Sequence, residues 1–295
     1  MTQRPLISIG VPVLNGAVCL RECLENLRAL DYPRLEFIVS DNASTDDTAD
    51  ICREFAEADP RFRIFRQDRT VPVQQNFQFV LDAAQGDYFS WHAHDDLYHP
   101  RFAAILADLL DSTPDASLAA SSIRWSDVTS GRSKVRRAPA TGGLRPAMRA
   151  AQQLSRFSVH WIYGLYRTDF IRDRMARFER EIGTETFHCD IIWVAQMVAE
   201  SAVVTAPDIL FHGRRVTGKT YDYAAHTPAQ FRHSHDLALR LMSEAIDAAH
   251  YPAIWRPLLR ALARRVVLRR VVPARFRRDR HLNAPRPDPV SGETS

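Results

Sequence analysis

The sequence predicts an α/β fold: a doubly wound, mainly parallel sheet with flanking helices and a helical extension towards the C-terminal end. Three observations carry this. Short apolar runs of strand length alternate with stretches whose apolar residues recur at helical spacing. Such alternation calls for right-handed crossovers, which wind a parallel sheet with helices on both faces. Three of the apolar runs also end in polar or turn-forming residues, at Pro12 to Asn15, at Asp41 to Asp46, and at Asp95 with Asp96. In an open parallel sheet the ligand crevice lies outside the carboxyl ends of the strands, so these ends point to one site built from separated segments.

Taken in order, Leu6 to Val11 reads as a buried strand, and Val18 to Leu30 places Leu20, Leu24 and Leu27 on one helical face. Leu35 to Ser40 is a second strand. Ser44-Thr45-Asp46-Asp47 has the form of a capping box opening a helix with Ala49, Ile51 and Phe55 as apolar positions. Phe62 to Phe65 is a third strand and Val73 to Ala84 a third helix; Gly86-Asp87 then turns the chain into the strand Tyr88 to Trp91, which delivers Asp95. Pro100 to Leu110 reads as a helix and Leu118 to Ala120 as a short apolar run. Ser126 to Arg145 lacks apolar periodicity and is expected to be a long surface loop, a lid near the site. Val159 to Tyr166 is strand-like, Phe187 to Ala199 helical and Ala202 to Thr205 a short strand. Pro257 is placed to start a helix reaching Val272, with Leu258, Leu259, Leu262 and Val266 on one side and Arg269 intruding there.

With 295 residues, 45% hydrophobic and 25% charged, the chain can bury a full core. The net charge of +4 hides an asymmetry, because residues 251–280 hold ten Arg and one acid while the remainder is mildly acidic. That basic end suits an anionic surface, although a solvated charged helix is the commoner role of such a stretch. Cys19, Cys23, Cys52 and Cys189 lack zinc-ribbon spacing and read as core thiols in a reducing, cytoplasmic setting. No secretory leader is read, and no apolar run has the length to span a bilayer. The last fifteen residues are expected to be disordered.

Adjacent carboxylates at a strand's end suit a hard cation, and Mg²⁺ or Mn²⁺ usually completes its shell with phosphate oxygens of a substrate. Asp95 is thus a candidate to hold an ion bridging to a diphosphate, with Asp96 sharing the ion or orienting the site. A turn carrying two Asp is the plainer account of the pair alone. His92 and His94 would prefer a softer ion such as Zn²⁺ if they shared a strand face, but packing beside the pocket is the commoner role.

Around that pair stand Ile9-Gly10-Val11-Pro12-Val13-Leu14-Asn15, Phe37-Ile38-Val39-Ser40-Asp41-Asn42-Ala43-Ser44-Thr45-Asp46-Asp47-Thr48, Gln75-Asn76 and Ala83-Ala84-Gln85-Gly86-Asp87-Tyr88. In order and spacing these segments resemble the family 2 glycosyltransferases, strongly over residues 6–111 and more weakly to about 220. The resemblance implies a GT-A fold and inverting transfer from a nucleoside diphosphate sugar. It implies that Pro12, Val13, Asn15, Ser44 and Asn76 line the nucleotide pocket and that Asp41 accepts a hydrogen bond from the base. A carboxylate accepts from the imide N–H of uracil or thymine, which favours UDP or dTDP; an Asx turn is the structural alternative. Where the family usually carries Asp-x-Asp, this chain has Ala93-His94-Asp95, so the first carboxylate is missing and metal dependence is put in question. Asp190, before Ile191-Ile192-Trp193-Val194-Ala195, matches the family's base carboxylate. Glu181 and Glu185 are rivals, and a carboxylate favoured at a helix N-terminus is the plainer role. His160 to Arg167 resembles the acceptor-side segment, in which Trp161 and Tyr163 would stack on sugar faces or lie in the core. Arg215 is the expected phosphate contact, with Arg214 and Lys219 as alternatives; a His common two residues later in relatives is Thr217 here.

The resulting organisation is a nucleotide-sugar half over 1–125, an acceptor half over 126–220, a helical extension with the basic helix over 221–280 and a disordered tail over 281–295. The first strand is not followed by G-x-G-x-x-G and no G-x-x-x-x-G-K-[ST] occurs, which excludes a nicotinamide dehydrogenase and a P-loop NTPase. The glycine-rich opening of sugar-phosphate nucleotidyltransferases is also missing. A non-catalytic module binding glycan or nucleotide sugar is the alternative from another class. Expected partners are the donor, a glycan or lipid-linked acceptor, and an anionic membrane surface through residues 254–280. Nucleic acid is not expected, because aromatics are nearly absent among those arginines.

Overall fold

The computed structural model describes residues 3–182, 189–216 and 228–271. Strands β1 (Ile7–Val13), β2 (Leu35–Asp41), β3 (Phe62–Arg66) and β4 (Tyr88–Trp91) pair in parallel in the order β3-β2-β1-β4. Their crossovers are the expected helices, α1 (Ala17–Arg28), α2 (Thr48–Ala58) and α3 (Val73–Asp82). The register sets Val13 beside Asp41 and Asp41 beside Arg66, so the strand ends converge.

Beyond β4 the sheet becomes mixed. It gains β5 (Leu97–Tyr98), β6 (Leu118–Asp127), β7 (Ser133–Arg136), β8 (Leu165–Arg167) and β9 (Val203–Arg215). β8 runs antiparallel between β4 and β6, β9 parallel to β6, and β5 antiparallel to β9.

Alternation along each strand divides the core between the two faces of the sheet. Ile7, Ile9, Val11, Phe37 and Val39 face α1, α2 and α4 (Phe102–Asp111). Ile38, Phe89, Trp91, Leu118 and Val203 face the second layer, in which α3 is joined by α5 (Pro146–Ser155), α6 (Thr168–Ile182), α7 (Cys189–Ala199), α8 (Pro228–Ala248) and α9 (Arg256–Arg270). Among the described residues no helix is long and apolar enough to cross a membrane.

Several expectations are corrected. The capping box does not form: α2 begins at Thr48, Asp46 accepts from its backbone N–H, and Asp41 accepts from Ser44 N. The region read as a lid instead continues β6 to Asp127 and returns as β7, with Ala138 and Thr141 buried. Polar residues disguised this strand, because Ser121 and Ser122 are buried with hydrogen-bond partners, Ser122 Oγ donating to Pro207 O at 2.7 Å. Ala202 to Thr205 is likewise only the start of the long β9. Helices α5 and α6 have no counterpart in the sequence reading, and α8 falls within the helical extension expected over 221–280.

Val159–Tyr163 is a 3₁₀ turn rather than a strand, and β8 starts only after Gly164. A Cβ on Gly164 would lie 2.3 Å from the Ala119 carbonyl oxygen, which fixes glycine at this junction. Overpacking of that kind costs about 1–3 kcal/mol.

On α9 the buried set is Leu259, Ala263, Val266 and Val267, whereas Leu258 is 48% exposed and Arg269 points to solvent. The helix's expected last residue, Val272, and the tail 281–295 lie outside the described residues. Cys19, Cys23 and Cys52 are buried thiols as expected, and Cys189 is half-buried.

Candidate functional site

The loops after β1 and β2 are laced together. Asn15 N donates to Ser44 Oγ at 2.8 Å, Thr45 N to Asn15 Oδ1 at 2.9 Å and Gly16 N to Thr48 Oγ1 at 2.9 Å. Asn15 and Ala43 both have positive φ, 51° and 59°. Asn tolerates that region, but at Ala43 it stores local strain, which the surrounding hydrogen bonds hold. Pro12 and Val13 are buried at the end of β1.

Asp41 is 1% exposed, and both carboxylate oxygens are engaged, by Ser44 N at 2.9 Å and by the Arg66 guanidinium. Arg66 also donates to Ser44 O and stays half exposed. Asn76, expected to face the nucleotide, is instead buried and spends its amide on Ser40, accepting from Oγ at 2.6 Å and donating to the carbonyl at 3.0 Å. The described contacts therefore make Asn76 a pin between α3 and β2.

The Asp95–Asp96 turn is fastened on several sides. His92 N donates to Gly10 O, His92 Nε2 lies 3.1 Å from Asp96 O, and Asp96 N donates to Ala93 O. From β9, Arg214 N donates to Asp96 Oδ1 at 2.7 Å, its Nε to Asp95 O at 2.7 Å and its Nη1 to Glu22 at 2.6 Å. Asn26 exchanges two hydrogen bonds with Tyr98, just beyond the turn.

The two carboxylates differ as a result. Asp96 is 7% exposed, and burial, with Asp95 beside it, pushes its pKa up to about 8. Asp95 is half-buried, and among the described residues its carboxylate has no hydrogen-bond partner. Of the expected metal pair, only Asp95 is thus presented to a ligand.

Among the described residues no three His, Cys, Asp or Glu side chains group to hold a metal. His92 is fully buried against Tyr98, and burial lowers its pKa to about 3, so it is a neutral packing residue. His94 packs over Gly16, and burial lowers its pKa too.

A cavity of about 360 Å³ opens between α3, β4, the 159–163 turn, α6 and α7. Asp190 lies on its wall, in the first turn of α7. Tyr163 lines it as well, with its ring stacked on Phe211 at 5.3 Å. Burial, and then the charges of Asp96, Asp190 and Asp95, push the Tyr163 pKa up.

Trp161 is not on the wall. It is 2% exposed and packs on Phe157, so the sugar-stacking role expected of it is corrected to a core role. Arg215 also departs from expectation: it pairs with Asp127 and lies over Trp125, while Arg214 makes the contacts to the acidic turn. Glu185, Thr217 and Lys219 lie outside the described residues, as does the side chain of Glu181. Sequence reading missed Arg66, whose signal is its place at the end of β3, and Asn42, whose amide makes two hydrogen bonds to Val71.

A parallel half carrying laced loops at its strand ends, continued by mixed strands that anchor an acidic turn, defines a fold of the GT-A type. Its nearness to solved structures is one of fold. The chain superposes on S. aureus TarS 1–349 in complex with UDP-GlcNAc with a TM-score of 0.61 at 16% identity, covering 87% of this chain and 70% of that one. It superposes on the mannosyltransferase PcManGT from Pyrobaculum calidifontis, in complex with GDP-Man and Mn²⁺, with a TM-score of 0.55 at 20% identity, covering 90% and 74%.

The chain belongs to the family described as Glycosyl transferase family 2, whose signature matches residues 8–175, more than half of its length. Curated relatives include the glycosyltransferase GlyG of Streptococcus pneumoniae serotype 4, 33% identical over 92 residues, 31% of each chain. An uncharacterized glycosyltransferase of Rickettsia typhi, RT0329, is 34% identical over 99 residues, 34% of this chain and 30% of that one. The chain spans less than a third of the length of these relatives.

Proposed function

We propose that this protein is an inverting glycosyltransferase that moves a sugar from UDP or dTDP to a hydroxyl of a glycan or lipid-linked acceptor in cell-envelope polysaccharide synthesis. One observation supports the reading: Asp190, in the first turn of α7, lines a cavity of about 360 Å³ whose walls come from both halves of the chain, α3 and β4 on one side and the 159–163 turn and α7 on the other. In this reading residues 1–125 serve the donor, 126–220 serve the acceptor, and the helical extension supplies α8 and α9.

At the base, Asp41 accepts the imide N–H, while Arg66 offers donors to the flanking carbonyls, a pattern that uracil and thymine share. Asp41 becomes available when Arg66 turns towards the ligand. Pro12, Val13, Asn15, Ser44 and Asn76 hold the shape of that pocket, and Arg215 reaches a phosphate only by leaving Asp127.

The donor set fits a divalent ion of the Mg²⁺ or Mn²⁺ type, because a carboxylate without protein partners can share an ion with diphosphate oxygens and water. Asp95 would hold it; Asp96, committed to Arg214, would not. Such an ion neutralises charge developing on the leaving diphosphate. Asp190 takes the proton from the acceptor hydroxyl as that oxygen attacks the anomeric carbon from the face opposite the departing phosphate.

UDP, dTDP and GDP titrated calorimetrically with and without Mn²⁺ are expected to show metal-enhanced binding of UDP and dTDP, at least tenfold over GDP. Absence of binding by all three would sink the reading in favour of a non-catalytic glycan-binding module.

In this reading the acceptor lies at the cytoplasmic face of an anionic membrane. Just before α9 Ile254 is 84% exposed, and on α9 itself Leu258 is 48% exposed and Arg264, Arg265 and Arg269 face solvent. Salt-sensitive binding to phosphatidylglycerol vesicles is expected, weakened at least tenfold by Arg264→Glu with Arg265→Glu. Charge reversal is preferred to truncation because the inner face of α9 is core. Equal binding by the double variant would remove the membrane from the proposal.

A further inference from the structure

The rim of the cavity beyond His160 is basic, and the register of the sheet shows how. Ile123 on β6 pairs with Arg136 on β7 and with Phe211 on β9, so the three side chains share one face of the sheet. Phe211 stacks on Tyr163 at 5.3 Å and its ring lies 6.5 Å from that of His160; both of these neighbours line the cavity. Arg136 thus starts two strand spacings, about 10 Å, from the ring that backs the cavity wall. From the helical layer Arg270, the last residue of α9, donates to Phe157 O at 3.4 Å, just before the turn that carries His160. His160 registers both arginines: burial first, and then Arg136 and Arg270, lower its pKa to about 4.

Two guanidinium groups from separate elements therefore converge on one imidazole. The sequence supplies nothing nearby to offset them, because residues 128–145, 156–168 and 248–271 contain no acid. Arg136 is half-buried, and among the described residues its side chain has no hydrogen bond or ion pair. Like charges held together repel, and an anion between them relieves the repulsion. We propose that Arg136 and Arg270 form an acceptor subsite that holds a phosphate of a phosphorylated glycan while the accepting hydroxyl lies in the cavity beside Asp190. The inference rests on the glycosyltransferase reading and deepens it by naming the acceptor class. A phosphate fits better than a carboxylate, because a tetrahedral anion offers oxygens to donors arriving from β7 and α9 at once, whereas a carboxylate is matched by one planar fork. The cavity, at about 360 Å³, falls at the small end of ligand sites, so one sugar residue occupies it with the phosphate at the rim.

The test uses the full chain saturated with UDP and Mn²⁺, so that the donor site is filled, and titrates N-acetylglucosamine 1-phosphate against N-acetylglucosamine. The phosphorylated sugar is expected to bind at least tenfold more tightly. Arg136→Gln with Arg270→Gln should remove that advantage and leave the affinities for UDP and for the free sugar unchanged. The His160 ring, followed by NMR, reports the position: a phosphate bound beside it opposes the two guanidinium charges and should raise its pKa from about 4, and this rise should be missing in the double variant. Equal affinity for the two sugars, or an advantage that survives the double substitution, overturns the subsite while the glycosyltransferase reading stands. Binding to phosphatidylglycerol vesicles that depends on Arg136 and Arg270, without binding of the sugar phosphate, assigns the pair to a lipid headgroup and overturns it too. Failure of UDP to bind overturns the glycosyltransferase reading and the subsite with it.

Discussion

Replacing Asp190 by Asn is expected to lower kcat by roughly 10²–10⁴-fold, the range for a positioned general base, with nucleotide affinity unchanged. The substitution keeps the shape of the side chain and removes its ability to take a proton. Its structural cost is small, since a carboxylate in the first turn of a helix contributes about 0.3–1 kcal/mol. Single-turnover release of nucleoside diphosphate in the presence of acceptor, with calorimetry on the same preparation, separates the two effects. A variant within a few-fold of the parent would move the base to another carboxylate, Glu181 or Glu185, and undo the pairing of this cavity wall with the chemistry.

At the opposite end of the reacting bond, Asp95→Ala should abolish the Mn²⁺-dependent part of donor binding and lower kcat/KM by roughly a thousandfold, since a bound ion supplies several kcal/mol of charge stabilisation. Asp96→Asn should leave Mn²⁺ affinity nearly unchanged, because an amide oxygen can still accept from Arg214 N. Arg214→Ala should weaken Mn²⁺ affinity, measured with UDP present, by about 10–100-fold, the usual cost of losing a group that orients a ligand. Lysine cannot reproduce the separate contacts of Nε and Nη1, so Arg214→Lys should recover little. If Asp96→Asn lost the ion and Asp95→Ala kept it, the assignment of the two carboxylates would be reversed.

The parallel half was legible because strands covered on both faces read as continuous apolar runs, as Leu6 to Val11 and Leu35 to Ser40 do. The mixed half was not. β6 and β9 carry Ser122 and Thr205, whose buried hydroxyls are satisfied by partners far along the chain, Pro207 for Ser122 and Pro139 for Thr205. A polar residue that finds its partner in three dimensions looks like loop in one. The turn at Val159–Tyr163 misled for a different reason, since aromatic and β-branched residues favour strands unless tertiary packing overrides them.

The site followed the same division. Asp95 and Asp190 could be picked out by their neighbours in sequence. Arg66 could not, and Arg214 stood only as an alternative phosphate contact, because their contacts come from strand pairing, Arg66 with Asp41 and Arg214 with the turn before β5. Asp95 and Asp96 looked equivalent as letters, and only the donor from β9 tells them apart.

The attachment of Arg214 to Asp96 joins residues 118 positions apart. During synthesis the loops after β1 and β2 can therefore lace together long before the Asp95–Asp96 turn acquires its fastening, which must wait for β9 to leave the ribosome. A nascent chain stopped short of β9 would lack the backbone donor that holds Asp96 and the guanidinium that holds the Asp95 carbonyl, so its acidic turn would be left without that fastening.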